Sequence, residues 1–356
     1  MVWKQLNNAQ ACKSWLEYLQ TSCGATPLLG DLQEVHAMAQ LYAKGVAPGS
    51  MLNYFAECPL LGKPGVDLSV QYPLKDFVKG NVLVDTQFAG QGKVFMQYAY
   101  ELGKVNPAAL DICYVYLEAD TSLGKADESA VFINLAGNTV PLLLPQVFAW
   151  EGETERLHAV ERYLAKVAGY FEPWHFGFMA SRKEKPLRLT LRVVDDSMEK
   201  LLQGLRILGF ATFLAEKTAF LEQLDKIGLF NYMVDFDVMP DGSLGSTVGV
   251  ELNAKNVYPV LQKSMLASDD FVKLTKYFQE NGLADARMEL VPRCVWYMDA
   301  PDTLQDPYYM YSFLSHFKLR WQGTEPMPAK IYLQMRTVDK QWNLNETLQL
   351  VGRHYQ

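Results

Sequence analysis

The sequence has few features that would direct the chain to a membrane or to nucleic acid. It contains no run of about 18 apolar residues, the length that a membrane-spanning helix needs. The amino-terminal residues lack the basic segment, apolar run and cleavage site of a signal peptide. The net charge of −7 leaves no general basic face for nucleic acid. We therefore expect a cytoplasmic protein that binds neither nucleic acid nor membrane, and any basic site must be local.

Cysteine and histidine are sparse, with 5 of each, and glycine and proline are not enriched. The 5 cysteines are scattered without a CxxC pair, which argues against a disulfide framework and a cysteine zinc site. Disorder is excluded because 49% of the residues are hydrophobic and only 24 are glycine and 17 proline. The sequence has no P-loop, HExxH motif, Rossmann fingerprint or serine nucleophile elbow. The pattern of strands and helices is therefore the main indication of function in this sequence.

Strand-like and helical segments alternate along most of the 356 residues. Residues 1–105 are predicted to be mainly helical, and residues 106–356 repeat a unit of two strands followed by one or two helices. Predicted helices lie at 8–22, 32–44, 93–104, 153–171, 196–227, 255–283 and 343–351. Predicted strands lie at 66–72, 81–87, 110–120, 130–137, 175–182, 187–194, 231–238, 246–252, 292–300, 312–321 and 329–336. Short turns make the paired strands antiparallel, so we expect an α+β fold of repeated β-hairpins alternating with helices, in one continuous domain.

Polar and apolar residues alternate along the predicted strands, as a sheet with one covered face requires. In 312–321 the pattern places Phe313 and Phe317 on the apolar face and His316 on the polar face. The polar faces of several strands collect six basic residues: Arg188, Arg192, Lys318, Arg320, Lys330 and Arg336. This face meets water if the sheet is open, but it becomes a lumen if the hairpins close into a barrel with helices outside.

Cations that converge in a lumen are costly unless an anion accompanies them. In an acidic protein, such convergence predicts a site for a phosphate or diphosphate ligand. Tyrosines beside the cations suit a ligand that is partly apolar. An open sheet with solvated cations remains the alternative at this point.

The pattern of hairpins, outer helices and a cationic, tyrosine-rich interior resembles the ABBA-type aromatic prenyltransferases, whose fold is the prenyltransferase barrel. Two short motifs carry the resemblance, which covers about residues 110 to 336. Lys330 and Tyr332 in AKIYL match a Lys-x-Tyr strand element, and Glu118 in YLEADTS matches the glutamate of an early strand. The sequence departs from the fungal members because no proline precedes this glutamate. Arg188-Leu-Thr also stands where a middle strand would carry Lys-x-Tyr.

The resemblance implies transfer of an isoprenyl group from an allylic diphosphate to an aromatic small molecule or a peptide side chain. It implies that Glu118 is catalytic and orients or deprotonates the acceptor, while Tyr114 and Tyr116 shield the allylic cation. The diphosphate ligands that it implies are Arg188, Arg192, Lys318, Arg320, Lys330, Tyr332 and Arg336. It implies no required cofactor and no metal ligands in the protein, and it leaves open whether Mg²⁺ accompanies the diphosphate.

The matched residues also have plainer interpretations. Glu118 is equally explained as a solvated carboxylate at a strand end, and Lys330 and Tyr332 as residues of a solvent-facing sheet. His175 and His316 are too isolated to define a metal site, and we predict structural roles for both.

A second function class also stays open. The chain would then be a non-catalytic peptide- or ligand-binding protein of a biosynthetic pathway, with an open edge strand that binds peptide. Asp195 and Asp196 resemble an aspartate-rich metal motif only superficially, and they predict the start of a helix with acidic residues in its first turn.

Overall fold

A computed structural model of the chain describes residues 8–24, 26, 28–44, 53–73, 114–119, 130–134, 154–179, 182–256, 259–299 and 308–339. The helices predicted at 93–104 and 343–351 and the strand predicted at 81–87 lie outside these residues. Within these residues, no helix combines the length and the apolar character needed to cross a membrane. Four cysteines, Cys12, Cys23, Cys58 and Cys294, are described, and all are free thiols.

Antiparallel strands form the wall of a closed barrel. The described ranges contain β1 (Asn53–Pro59), β2 (Asp67–Pro73), β3 (Tyr114–Ala119), β4 (Ala130–Asn134), β5 (Phe171–Phe178), β6 (Leu187–Val193), β7 (Phe230–Val238), β8 (Leu244–Ala254), β9 (Trp296–Asp299), β10 (Tyr308–Gln322), β11 (Glu325–Pro326) and β12 (Lys330–Asp339). The wall follows the order β10-β12-β1-β2-β3-β4-β5-β6-β7-β8, and a ladder between β8 and β10 closes it. The predicted α+β barrel of hairpins is confirmed, and the open sheet is excluded.

Helices cover the outside of this wall. The described ranges contain α1 (Asn8–Ser22), α2 (Gln33–Lys44), α3 (Thr154–Val167), α4 (Met198–Leu208), α5 (Ala211–Ile227), α6 (Pro259–Leu266) and α7 (Asp269–Glu280). The apolar faces of helices and strands share one hydrophobic core. Trp321 of β10, for example, packs edge-on against Phe213 and Phe220 of α5, with ring centroids 5.2 Å and 5.8 Å away. The polar faces of the wall strands therefore point into the barrel.

Local sequence signals account for several helix ends. Ser268 caps α7 by accepting a hydrogen bond from the Phe271 amide, and Gly282 follows its end with φ of 65°. Asp195 and Asp196 lie in a 3₁₀ turn directly before α4, whose N-cap is Ser197. The predicted helix start is therefore confirmed to within a turn.

The amino-terminal region contributes more to the wall than predicted. The sequence analysis predicts no strand at 53–59, where the structure has β1. This strand pairs with β12, from Tyr54 opposite Met335 to Pro59 opposite Lys330. It also forms a hairpin with β2, from Asn53 opposite Gln71 to Glu57 opposite Asp67. With β2, it makes the region expected to be mainly helical part of the barrel itself.

Two predicted strands are displaced. The segment predicted at 175–182 is β5, which begins at Phe171. The segment predicted at 292–300 is a strand only from Trp296, because Ala286–Cys294 forms a 3₁₀ helix. The Asp285 side chain starts that helix by accepting a hydrogen bond from the Arg287 amide at 2.9 Å.

The alternation in β10 changes phase at a β-bulge. Leu314 lies opposite Leu333 and His316 lies opposite Tyr332, so Ser315 has no partner position on β12. An extra residue shifts all upstream side chains by one face. Phe313 therefore lies opposite Gln334 and shares its lumen face, which corrects the prediction that groups Phe313 with Phe317.

Candidate functional site

A cavity of about 500 Å³ occupies the interior of the barrel. Aromatic rings from six strands line it: Phe55, Tyr116, Phe132, Trp174, Tyr232 and Tyr332. Gly177 leaves room for one of them, since a Cβ there would lie 2.2 Å from the Phe132 ring. A cavity of this size and lining suits a small organic ligand.

The structure brings most of the predicted site residues to this cavity. Seven of the ten line it, namely Tyr116, Glu118, Arg188, Arg192, Lys318, Tyr332 and Arg336. The other three, Tyr114, Arg320 and Lys330, are not among its lining residues. The functional roles of all ten stay predictions.

Two of the cations that line the cavity bind carboxylates of the barrel itself. Arg188 donates from Nε to Asp237 Oδ1 at 2.9 Å and from Nη2 to Oδ2 at 3.1 Å. Lys318 Nζ lies 2.9 Å from Glu251 Oε1 and 3.2 Å from Asp235 Oδ2. From the sequence we expect these cations to be unpaired until an external anion binds. In the structure, carboxylates of the barrel already pair with them.

Arg320 and Lys330, which do not line the cavity, are also paired with carboxylates. Arg320 Nη2 lies 3.3 Å from Asp235 Oδ1 and 3.5 Å from Asp237 Oδ2. Lys330 Nζ is ion-paired with Glu57 and lies 3.9 Å from Asp67 Oδ2. We call this set the floor network, and its members are Arg188, Lys318, Arg320, Lys330, Glu57, Asp67, Asp235, Asp237 and Glu251.

A glycine makes space for the centre of the floor network. Gly249 lies opposite Asp235 on one side and opposite Arg320 on the other. A Cβ at this position would lie 1.8 Å from Asp235 Oδ2, so the carboxylate occupies the volume that any side chain would take. The fully buried Asp235 therefore reaches Arg320 across a strand position without a side chain.

Four carboxylates of the floor network, those of Glu57, Asp235, Asp237 and Glu251, have a lowered pKa and are ionised at neutral pH. Burial raises the pKa of Asp235, but Lys318, Arg320 and Arg188 outweigh it and hold the pKa well below its usual range. Lys318 likewise lowers the pKa of Glu251 against its burial. In this low-dielectric interior, each pair attracts far more strongly than it would in water.

The remaining two predicted cations lie apart from the floor network. The Arg336 guanidinium is 5.1 Å from the Phe313 ring centroid, and its Nη2 donates to Gln334 Oε1 at 3.5 Å. Arg192 has a side chain 46% exposed, and it lies 4.0 Å from Asp196. Both cations therefore stay open to a ligand on their cavity side.

Hydrogen bonds orient polar side chains on the neighbouring strands β1, β2 and β3. Gln71 Nε2 donates to Tyr116 Oη at 2.7 Å, and Gln71 Oε1 accepts from Asn53 Nδ2 at 2.7 Å. Because its oxygen already accepts from Gln71, Tyr116 has a hydroxyl hydrogen to offer a ligand.

Two histidines that the sequence analysis treats as structural also line the cavity. Burial lowers the pKa of His175 to about 4 and lowers that of His316 below its ordinary value. The His316 ring stacks on Tyr332, with centroids 4.0 Å apart and planes at 19°. The strand alternation does contain this signal, since His316 shares a face with Lys318.

Three solved structures resemble the whole described fold. AnaPT from Neosartorya fischeri aligns with a TM-score of 0.52 and 10% identity, over 94% of this chain and 95% of that chain. A 6-dimethylallyltryptophan synthase from Micromonospora olivasterospora, in complex with DMASPP and Trp, aligns at 0.53 and 12%, over 92% and 97%. A further 6-dimethylallyl tryptophan synthase aligns at 0.52 and 12%, over 92% and 96%. No protein-family model and no curated protein matches the chain. At these identities the likeness shows the fold alone.

Proposed function

We propose that this chain, whose fold is the ABBA-type barrel of aromatic prenyltransferases, transfers an isoprenyl group from an allylic diphosphate to an aromatic acceptor. The observation that carries the proposal is a single cavity inside a closed barrel, lined by both aromatic rings and cations. Aromatic rings stabilise a carbocation, and cations stabilise its diphosphate leaving group.

The cations act on the leaving group. When the allylic C–O bond breaks, negative charge grows on the diphosphate, and cations in a sheltered cavity stabilise it better than water does. We assign this role to the lining residues Arg188, Arg192, Lys318 and Arg336, with the Tyr332 hydroxyl. Arg320 acts indirectly, because it pairs with Asp235 and Asp237, the carboxylates that also hold Lys318 and Arg188. Lys330 pairs with Glu57 and Asp67 instead, and we assign it a role in holding β1 and β2.

The aromatic rings protect the allylic cation. Their π faces stabilise positive charge, and the closed wall excludes the water that would quench it. The shielding set comprises Tyr116, Phe55, Phe132, Trp174 and Tyr332. Tyr114 lies at the start of β3 away from the cavity lining, so we leave it out of this set.

Glu118 acts on the acceptor. It lines the cavity from β3, where its carboxylate can accept a hydrogen bond from an indole N–H or a phenol O–H. The acceptor is an aromatic small molecule or the aromatic side chain of a peptide. The competing peptide binder needs an open edge strand, and the β8–β10 ladder removes that edge from the wall.

The test is product formation by the purified chain. Dimethylallyl, geranyl and farnesyl diphosphate are each incubated with tryptophan, tyrosine and short peptides containing them, and products are read by mass spectrometry. We expect a product one prenyl unit heavier, and we expect it to form in EDTA because protein cations supply the charge. Absence of any product, together with no thermal shift on adding any of the three donors, would reject the enzyme.

A further inference from the structure

Two consecutive side chains of β10 face the same cavity. In a regular strand Ser315 and His316 would point to opposite faces. Both line the cavity, because Ser315 is the extra residue of the bulge between Leu314 and His316. Bulges often redirect a side chain in this way beside active sites.

His316 joins Ser315 to a carboxylate. Its Nδ1 lies 3.1 Å from Ser315 Oγ, and its Nε2 lies 4.0 Å from Glu251 Oε2. Stacking on Tyr332 fixes the plane of the ring. A carboxylate beside Nε2 favours the tautomer that carries hydrogen there, which leaves the Nδ1 lone pair free to accept the Ser315 hydroxyl.

Glu251 is itself held in place. Its Oε1 accepts from Lys318 Nζ at 2.9 Å, while Oε2 faces His316. Hydroxyl, imidazole and carboxylate therefore stand in the order that enzymes use to move a proton.

We propose that Ser315, His316 and Glu251 form a proton relay that removes the ring proton of the alkylated acceptor, a role that rests on the proposed prenyl transfer. The donor C–O bond breaks and its electron pair leaves with the diphosphate. The acceptor ring carbon bonds to the allylic carbon and then gives its proton to Ser315 Oγ. Ser315 passes its own hydrogen to His316 Nδ1, and Glu251 stabilises the imidazolium. Glu118 keeps the separate task of orienting the acceptor.

The surroundings of His316 keep it ready to accept a proton. Burial is the largest influence and lowers its pKa, so the ring is neutral at neutral pH. Glu251, Glu57 and Asp235 raise the pKa and Lys318 lowers it. His175 also interacts with it electrostatically.

A serine-reactive probe tests the relay without prenyl transfer. Diisopropyl fluorophosphate forms an oxygen–phosphorus bond with an activated serine, fluoride leaves, and the serine proton goes to the base. We expect mass spectrometry to find the label on Ser315. His316→Asn should slow labelling by about tenfold or more, as loss of a general base does. Ser69→Ala removes another cavity-lining serine and should leave the rate unchanged. No label on Ser315, or equal labelling in His316→Asn, would overturn the relay.

A second measurement serves if His316→Asn does not fold. The pKa of His316 is read by NMR in the folded protein and in two charge variants. Glu251→Gln should lower it and Lys318→Met should raise it, since these partners act in opposite directions. The acid limb of the prenylation pH profile should move with each. If prenylation occurs and the acid limb of its pH profile moves in neither variant, the relay is overturned and the proposed function stands. Labelling and titration as expected, without any prenyl transfer, overturns the proposed function and the relay's role in it, and leaves Ser315 as a serine activated by His316.

Discussion

The side chain of Gln262 completes the backbone hydrogen bonds of Leu314. From helix α6, its Nε2 donates to the Leu314 carbonyl at 2.6 Å and its Oε1 accepts from the Leu314 amide at 2.8 Å. The fully buried side-chain amide of Gln262 thus makes the two backbone hydrogen bonds that a neighbouring strand would otherwise make, just before the bulge. It supports the local geometry that turns Ser315 into the lumen.

Gln262→Leu should destabilise the chain and disturb the relay together. The variant leaves both a buried N–H and a buried C=O of Leu314 without a partner, at a cost of about 2–4 kcal/mol. Chemical denaturation with urea measures the loss. Gln262→Glu keeps the acceptor for the amide but sets a buried carboxylate against the Leu314 carbonyl, so at neutral pH its free energy of unfolding should fall at least as much. Equal stability of wild type and Gln262→Leu would show that the bulge does not need this contact.

Arg188→Met should destabilise the barrel because the buried Asp237 loses its bidentate partner and keeps the longer 3.5 Å contact with Arg320. Removing one partner of a buried ion pair costs about 3–5 kcal/mol. The matched double variant Arg188→Met with Asp237→Leu removes both charges and should regain most of the loss. A double variant no more stable to urea than the single one would contradict this pairing.

Gly249→Ala should displace Asp235 from the floor network. The added methyl would enter the space of the carboxylate, and such overpacking costs about 1–3 kcal/mol. Gly65→Ala is the control, because a Cβ at that position meets nothing within 4 Å. Thermal unfolding of the two variants should differ. Equal melting temperatures would mean that Asp235 can move aside without cost.

Glu118→Gln should abolish most turnover while the chain stays folded. The amide keeps the shape of the side chain but loses the charge that orients the acceptor, and we expect turnover to fall about 10²-fold or more. Circular dichroism and urea unfolding provide the folding control. Lys330→Ala differs, because it removes the ion-pair partner of Glu57 and should lower stability as well. Unchanged prenylation in Glu118→Gln would remove this residue from the mechanism.

Stability should fall in acid through the floor carboxylates. Lysine and arginine neighbours hold the pKa values of Glu57, Asp235, Asp237 and Glu251 below their ordinary values, although burial opposes them. A depressed folded-state pKa contributes stability above the unfolded value of about 4, and this stability is lost as the pH falls below it. Urea unfolding at pH 7, 5 and 3 checks this. A free energy of unfolding that stays constant down to pH 3 would contradict it.

Much of the fold was predictable because strand alternation is local. Lys330, Tyr332 and Arg336 belong to one polar face in the sequence, and the structure places that face inside the barrel. The same logic failed at Phe313, since a bulge depends on a partner strand and on Gln262 of a helix 52 residues away. Strand β1 was not predicted because its segment NYFAECP is buried almost throughout and so shows no alternation, with β2 on one side and β12 on the other.

The sequence by itself determined which residues share a face, because the period of two along a strand needs no tertiary contact. Only the tertiary structure decided what those faces meet. The Arg188–Asp237 pair spans 49 residues and the Lys330–Glu57 pair spans 273. Those two pairs join neighbouring strands, β6 with β7 and β12 with β1. The Lys318–Glu251 and Arg320–Asp235 pairs form only when β8 pairs with β10 and closes the wall. Closure also replaces the water around them with carboxylates, aromatic rings and a histidine, and so it converts a polar sheet face into a chemical site.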